Sequence, residues 1–145
     1  MNSIIYYDYF MTEKKKGVIS VAKFDRSTRI FHKYARLGFD KRRFSSIEIA
    51  SRAYGCCGSE KEALRLIAVY DMLRMLNAFG KKDCADALRA VYFENRGRPP
   101  RLNDISFAVR RFAEKNRIDD RTVWRRINEA KKLYSMLLKG QNICS

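Results

Sequence analysis

Histidine is the scarcest chemically versatile residue of the sequence, since His32 is the only one among 145 residues. A histidine-based catalytic triad or a multi-histidine metal site therefore has little to be built from. No glycine-rich phosphate loop occurs either, because the segment GRPP places two prolines where such a loop needs free backbone amides. We expect a protein that is not an enzyme and that uses no cofactor.

The cysteines lack the spacing of a metal site. The four cysteines, none of them in a C-x-x-C pair, are Cys56, Cys57, Cys84 and Cys144. Adjacent Cys56 and Cys57 leave an irregular zinc site open as an alternative, but reduced thiols in a cytosolic protein explain the pattern better. We therefore predict no bound metal.

Targeting signals are lacking as well. The start, MNSIIYYDYF, does not have the basic residues that open a secretory signal. No apolar run approaches the roughly 20 residues that a membrane-spanning helix needs. We expect a cytoplasmic protein that does not enter a membrane.

Acidic residues are outnumbered, with 16 Asp and Glu against 31 Lys and Arg and a formal net charge of +15. The surplus is uneven, because residues 14–52 hold 12 basic and 3 acidic side chains whereas residues 60–95 hold 6 of each. Residues 103–145 are basic again, with 10 basic and 5 acidic side chains. This layout indicates a neutral structural centre with two surfaces for a polyanion, and nucleic acid is favoured over anionic lipid or an acidic protein.

Composition divides the chain into a basic, aromatic-rich N-terminal region, residues 1–58, and a helical domain, residues 59–145. In the first region, GVISVAKF has the β-branched alternation of a short strand. The segment KFDRSTRIFHKYARLGFDKRRF then interleaves basic residues with Phe24, Phe31, Tyr34, Phe39 and Phe44. These rings either belong to a core or form a second contact on DNA, RNA or a polymerase, and both interpretations stay open.

Apolar residues recur at three- and four-residue steps from about Ser27 onward, which predicts a mainly α-helical fold with a small β element near the N-terminus. Gly38 is a plausible end for the first helix, and Ser45 or Ser46 caps the second. Both prolines lie in the linker NRGRPPRLND, where they interrupt helical structure.

Two predicted helices between residue 59 and the proline-containing linker form the neutral centre. Ser59 and Glu62 are spaced as a capping box in front of EALRLIAVYDMLRMLNAF, whose apolar face extends to Phe79 and which Gly80 closes. The following helix, in KKDCADALRAVYFENRG, has Asp83 as its predicted cap.

After the linker, the spacing predicts a helix-turn-helix over about 104–138. The first helix runs from about Ile105 to Lys115, and the second begins at Asp119 or Asp120. This motif requires a small residue where the two helices cross, an apolar residue just after the turn and apolar anchors on the inner side of the second helix. The residues that match these positions are Ala113, Ile118, Val123 and Ile127. At the turn, where glycine is common, the sequence reads Asn116-Arg117, and asparagine tolerates left-handed backbone.

An apolar stripe at three- and four-residue steps marks the inner side of the second helix, and its members are Val123, Ile127, Ala130, Tyr134 and Leu137. The opposite, outer side carries the candidate DNA contacts. The predicted base contacts are Arg121, Thr122, Trp124, Arg125 and Asn128, because arginine and asparagine can bind purine edges through two hydrogen bonds. The predicted DNA-backbone contacts are Arg96, Arg98, Arg101, Arg117, Lys131 and Lys132. The alternative is an ordinary solvated helix with Trp124 lying over the preceding helix.

The segment DRTVWRRINEAKKLY resembles the recognition helices of bacterial helix-turn-helix regulators. The wider arrangement resembles sigma-factor region 4, with a helix ending in LRAVYF, a linker and then two further helices. Residues 59–138 are also similar in layout to the small lambdoid-phage antitermination proteins of the Q class. The resemblance implies binding at a late promoter in a bacterial host cell, contact with RNA polymerase and sigma factor, and readthrough of terminators. Some Q proteins have a zinc-binding cysteine set, which this sequence lacks.

The sequence therefore predicts a sequence-specific, double-stranded-DNA-binding transcription regulator, with phage-type antitermination as its most specific form. The alternative is a basic, non-catalytic nucleic-acid-binding structural or interaction protein. Binding as a homo-oligomer, either on a direct repeat or as a symmetric dimer, stays open.

Overall fold

The computed structural model describes residues 25–94 and 97–141, which form six α-helices and no strand. In chain order the helices are α1 (Ser27–Arg36), α2 (Ser46–Cys56), α3 (Glu60–Ala78), α4 (Lys82–Tyr92), α5 (Leu102–Asn116) and α6 (Asp120–Gly140). The prediction of a mainly helical protein is confirmed. The predicted strand in GVISVAKF, the aromatic start, Arg96 and Cys144 lie outside the described residues.

One hydrophobic core joins all six helices. Helix α3 contacts α2 and α6, helix α6 also contacts α4 and α5, and α1 lies against α3 and α4. Leu66, Val69 and Leu76 of α3 are almost fully buried, as its apolar face predicts. Phe79 departs from that face, since it stands just after the helix and is 64% exposed. None of the described helices is both long and apolar enough to cross a membrane.

Aromatic rings of the basic N-terminal region belong to this core. Phe31, Tyr34, Phe39 and Phe44 are all buried. The Phe31 ring makes edge contacts with Tyr92 and Tyr134, at centroid distances of 5.7 and 5.2 Å. Edge-to-face packing of this kind stabilises the interior beyond the burial of area alone. The core interpretation of these four rings is therefore confirmed, and they are not available for a nucleic acid.

The starts of α2 and α3 agree with the predicted caps, whereas the start of α4 does not. Ser45 and Glu48 form a capping box at α2, and Ser59 accepts a hydrogen bond from the Glu62 amide at α3. The Glu62 carboxylate, however, pairs with Lys33 of α1 instead of closing a box. Asp83 does not cap α4. The N-cap position is Lys81, and Asp83 lies within the first turn.

Gly38 and Gly80 end the helices that precede them, as predicted. Their φ angles are +82° and +75°, in the left-handed region that side chains with a Cβ disfavour.

Candidate nucleic-acid interface

A turn of three residues joins α5 to α6. The backbone amide of Ile118 donates to the carbonyl of Ala113 over 3.0 Å, and the amide of Arg117 donates to Glu114 over 3.3 Å. Arg117 takes the left-handed conformation, with φ 57° and ψ 45°. Of the two residues at the predicted turn, it is therefore Arg117 and not the more tolerant Asn116 that is left-handed. Asn116 stays helical and its side-chain amide donates to the Phe112 carbonyl over 2.8 Å.

The start of α6 is fixed by Asp119, one of the two caps that the sequence allowed. Its carboxylate accepts a hydrogen bond from the Thr122 amide over 2.8 Å. Hydrogen bonds from the side chain and the backbone of Thr122 lower the pKa of Asp119. Thr122, a predicted base contact, is thus part of the cap and is only half-exposed. A carboxylate here also interacts favourably with the positive end of the helix dipole.

The inner side of α6 agrees with the predicted stripe. Val123, Ile127 and Ala130 are fully buried, and Tyr134 is nearly so. Ala113 of α5 is also buried, and Ile118 packs against the core at the turn. These contacts fix the rotation of α6 about its axis and hence determine which side chains face solvent.

A stripe of four exposed cations lies on the outer side of α6. We call this stripe the α6 ridge, and its members are Arg121, Arg125, Lys132 and Lys139. Spacings of four and seven residues bring side chains to one helix face, so the four project from the same side. Arg121 and Arg125 occupy the first two turns of α6, and neither forms an ion pair within the described part of the chain.

Three of the five predicted base contacts do not stand on this ridge, and Thr122, which belongs to the cap of α6, is one of them. Trp124 is partly buried and packs against the core instead of projecting into solvent. Asn128 is also partly buried, and its side-chain oxygen is inaccessible and lacks a hydrogen-bond partner among the described residues. Of the predicted base contacts, only Arg121 and Arg125 are exposed.

Lys131 is the clearest correction to the predicted contacts. Its side chain is 2% exposed, so it cannot reach a DNA phosphate without leaving the core. The ammonium group donates to the Tyr92 hydroxyl over 2.9 Å and forms an ion pair with Asp25 at 3.3 Å. It also lies 4.5 Å from the centre of the Tyr92 ring. Lys131 is therefore a structural residue in this fold.

The remaining predicted backbone contacts differ in exposure and in their partners. Arg117 stands in the turn and is exposed, and Lys132 belongs to the ridge. Arg101 is the exposed residue before α5. Arg98 instead forms an ion pair with Asp104 at 2.8 Å, which stabilises the start of α5.

Helix α5 adds a cation that sequence reasoning did not single out. Arg110 is exposed and lies 3.9 Å from the Asp120 carboxylate, which places it beside the N-terminus of α6. Its position on the polar side of α5, one residue after buried Val109, could have identified it.

Other reactive side chains do not assemble into a site. Cys56 and Cys57 are free thiols with their sulfur atoms 3.8 Å apart, and Cys84 is buried, which raises its pKa. Within the described ranges, no group of three or more His, Cys, Asp or Glu residues is arranged to hold a metal ion.

Comparison with protein-family models, with curated proteins and with solved structures yields no match to this chain in any of the three.

Proposed function

We propose that the protein binds double-stranded DNA through α5 and α6, which act as a helix-turn-helix with α6 in the major groove. The observation that carries this proposal is the α6 ridge. Two exposed arginines, neither of which forms an ion pair with another described residue, occupy the first two turns of a helix whose opposite side is buried. Recognition helices of this type contact base edges with residues near their N-terminus.

The chemistry of the ridge suits this role. Each arginine can bind the O6 and N7 atoms of guanine through two hydrogen bonds, and a good pair contributes roughly 1–3 kcal/mol of discrimination. Arg110, Arg117 and Lys132 lie around these two residues and are assigned to phosphates. Phosphate contacts set the register of the helix on the duplex, whereas base contacts supply the preference for a sequence.

The biological role that we propose is regulation of transcription, with antitermination as its most specific form. The similarity in layout to Q-class proteins supports it, as does the sigma-region-4-like order of helix, linker and two helices. Such a protein would bind near a late promoter of a phage in a bacterial cell and associate with RNA polymerase and sigma factor. Readthrough of a terminator on that template is the corresponding activity.

A second candidate is favoured by the inward placement of Trp124 and Asn128. With Arg121 and Arg125 as the exposed base-reading side chains, the interface has few groups that can distinguish one sequence from another. A protein that binds any duplex through phosphates needs no more than such a surface. It would be a basic structural component of a nucleoprotein assembly.

Selection of bound duplexes from a random pool distinguishes the two candidates. The full-length protein is incubated with the pool at about 0.15 M salt, where binding to nonspecific DNA is weak. We expect an enriched motif that contains guanine. The variant R121A/R125A should lose the motif while it retains weak binding to all duplexes.

Arg36, an exposed arginine in the last turn of α1, provides the matched control. R36A should enrich the same motif as the unmodified chain. K132A should keep the motif and reduce the salt dependence of binding by about 0.9 in the slope of log K against log salt. Enrichment of no motif by the unmodified protein would reject the regulator and favour the structural component.

A further inference from the structure

Two arginines lie over the ring of Phe44, which stands two residues before α2. The guanidinium carbons of Arg42 and Arg52 are 5.0 and 4.7 Å from the centre of this ring. Both arginines are exposed, whereas Phe44 itself is only 7% exposed. The attraction acts between the positive charge and the face of the ring, so it does not use up the N–H groups of the guanidinium. The ring therefore holds two cations in place while their hydrogen-bond donors remain available to an acceptor oxygen.

A third arginine is held beside them by a neighbouring ring. Arg74 of α3 donates to the Ser46 hydroxyl over 3.2 Å, and its guanidinium carbon is 5.6 Å from the centre of the Tyr70 ring. The Tyr70 hydroxyl donates in turn to the backbone carbonyl of Phe44 over 2.9 Å, which ties the two rings together. With two exposed cations of the adjoining loop, these arginines form what we call the Phe44 cluster, and its members are Lys41, Arg42, Arg43, Arg52 and Arg74.

The acidic side chains near the Phe44 cluster leave most of its charge uncompensated. Asp40 is engaged in an ion pair with Arg89 at 3.0 Å. The Glu48 carboxylate accepts a hydrogen bond from the Ser45 amide over 2.8 Å, and this bond, followed by the charges of two cluster arginines, lowers the pKa of Glu48. Burial raises the pKa of Asp71, against the effect of the cluster arginine beside it. Within the described ranges, no acidic side chain forms an ion pair with a member of the cluster.

The partner that this surface fits is one that presents phosphates on its outside. Guanidinium groups pair with phosphate oxygens through charge and through parallel hydrogen bonds. Single-stranded nucleic acids are held largely by bases that stack on aromatic rings, and the buried Phe44 ring, with guanidinium groups over it, offers no such platform. A duplex keeps its bases stacked inside and its phosphates on the outer surface, so it matches the cluster better.

We propose that the Phe44 cluster binds the phosphates of double-stranded DNA without reading its sequence. The cluster includes no residue of α5 or α6, and α2, which carries Arg52, has its main contacts with α3. It is therefore a second DNA contact, separate from the α6 ridge, and it does not depend on base recognition by that ridge. It also supplies a physical source for the weak binding to all duplexes that R121A/R125A is expected to retain.

The variant R121A/R125A provides the background for the test, because its remaining duplex binding does not involve the two base-reading arginines. Fluorescence anisotropy of a labelled duplex of random sequence, measured at several salt concentrations, gives the slope of log K against log salt. Adding R42Q/R52Q to this background should reduce the steepness of the slope by about 1.8, which corresponds to two lost phosphate contacts at about 0.9 each. Both residues are exposed, so the helicity measured by circular dichroism should not change.

R36Q/K61Q is the matched control, since it removes two exposed cations that lie outside both the Phe44 cluster and the helix-turn-helix. In the same background it should leave the slope unchanged. R42K/R52K keeps both charges and should preserve most of the slope. Equal losses in R42Q/R52Q and R36Q/K61Q, or no loss in either, would overturn the proposal. Tighter binding of a single-stranded RNA of the same length than of the duplex would also overturn it.

Selection of duplexes by R42Q/R52Q in the otherwise unmodified chain separates this proposal from sequence recognition by the α6 ridge. The enriched motif should stay the same, because the Phe44 cluster contacts no base. Loss of the motif in this variant would overturn the sequence-independent role of the cluster. A reduced slope together with no motif for the unmodified chain would reject the regulator alone and support the Phe44 cluster.

Discussion

Lys131 and Lys132 are neighbours on α6 and have opposite environments. Lys131 is 2% exposed and holds Asp25 and the Tyr92 hydroxyl, whereas Lys132 is exposed on the α6 ridge. One residue along an α-helix turns the side chain by about 100°, which suffices to move a lysine from the solvent into the core. The inner and outer sides of α6 therefore use the same cation in different ways, as a buried structural group on one side and as a proposed DNA contact on the other.

Replacing each lysine in turn by methionine should give the largest difference in the free energy of unfolding between the two positions. K131M leaves the Asp25 carboxylate without the ammonium group, and breaking one partner of a buried pair is costly. Because Asp25 is itself 20% exposed, we expect a loss near the low end of that range, about 3 kcal/mol in the free energy of unfolding. K132M should change it by less than about 0.5 kcal/mol. Urea denaturation followed by circular dichroism measures both.

The double variant D25N/K131M tests the physical cause. It removes the charge that K131M leaves uncompensated, so it should recover part of the loss. A double variant as unstable as K131M alone would mean that packing of the lysine stem, and not the ion pair, accounts for the effect.

The contrast between these lysines also shows which feature of the sequence predicted the environment of a side chain on α6. The apolar stripe of Val123, Ile127 and Tyr134 predicted the inner side of α6 correctly. Residue 131 lies four residues after Ile127 and three before Tyr134, so its position on that stripe indicates burial. The prediction of a phosphate contact followed from its charge instead. On this helix, periodicity was the better guide to environment than residue type.

Partners that are distant in the sequence could not be predicted in the same way. Asp25 and Lys131 are 106 residues apart, and nothing local in either segment identifies the other as its partner. The capping box at Ser59 was incomplete for a similar reason, because Glu62 pairs with Lys33 of another helix. Local rules predict helix starts, but long-range ion pairs decide where the long side chains finally lie.

The turn before α6 offers a second, smaller test. Arg117 holds a left-handed conformation that costs a residue with a Cβ roughly 1–2 kcal/mol and costs glycine little. R117G should therefore stabilise the protein, by up to about 1 kcal/mol after the greater chain entropy of glycine is included. The same variant should reduce the salt dependence of DNA binding, because it removes a proposed phosphate contact. Thermal unfolding and binding at several salt concentrations measure the two effects.

N116G provides the opposite expectation and so locates the left-handed residue. Asn116 is helical, and glycine in a helix is less favourable than other residues by up to about 1 kcal/mol. N116G also removes the side-chain hydrogen bond to the Phe112 carbonyl. We expect it to destabilise the protein. If N116G were stabilising and R117G destabilising, the turn would have the conformation that the sequence first suggested.

The smallest expected effect on stability concerns Asp119, the exposed residue that caps α6. Its folded-state pKa is lowered by hydrogen bonds from Thr122, so its carboxylate stabilises the start of α6. That stabilisation is fully present above the pKa of an unfolded aspartate and is lost as the pH falls through the lowered folded-state value. D119A should therefore be less stable than the unmodified chain at neutral pH, and the difference should shrink in acid. D119N keeps an uncharged cap, so a protein with this substitution should show no such pH dependence at this site. A difference between D119A and the unmodified chain that stayed constant down to the acid limit would show that the charge of Asp119 contributes nothing and that hydrogen bonding alone caps α6.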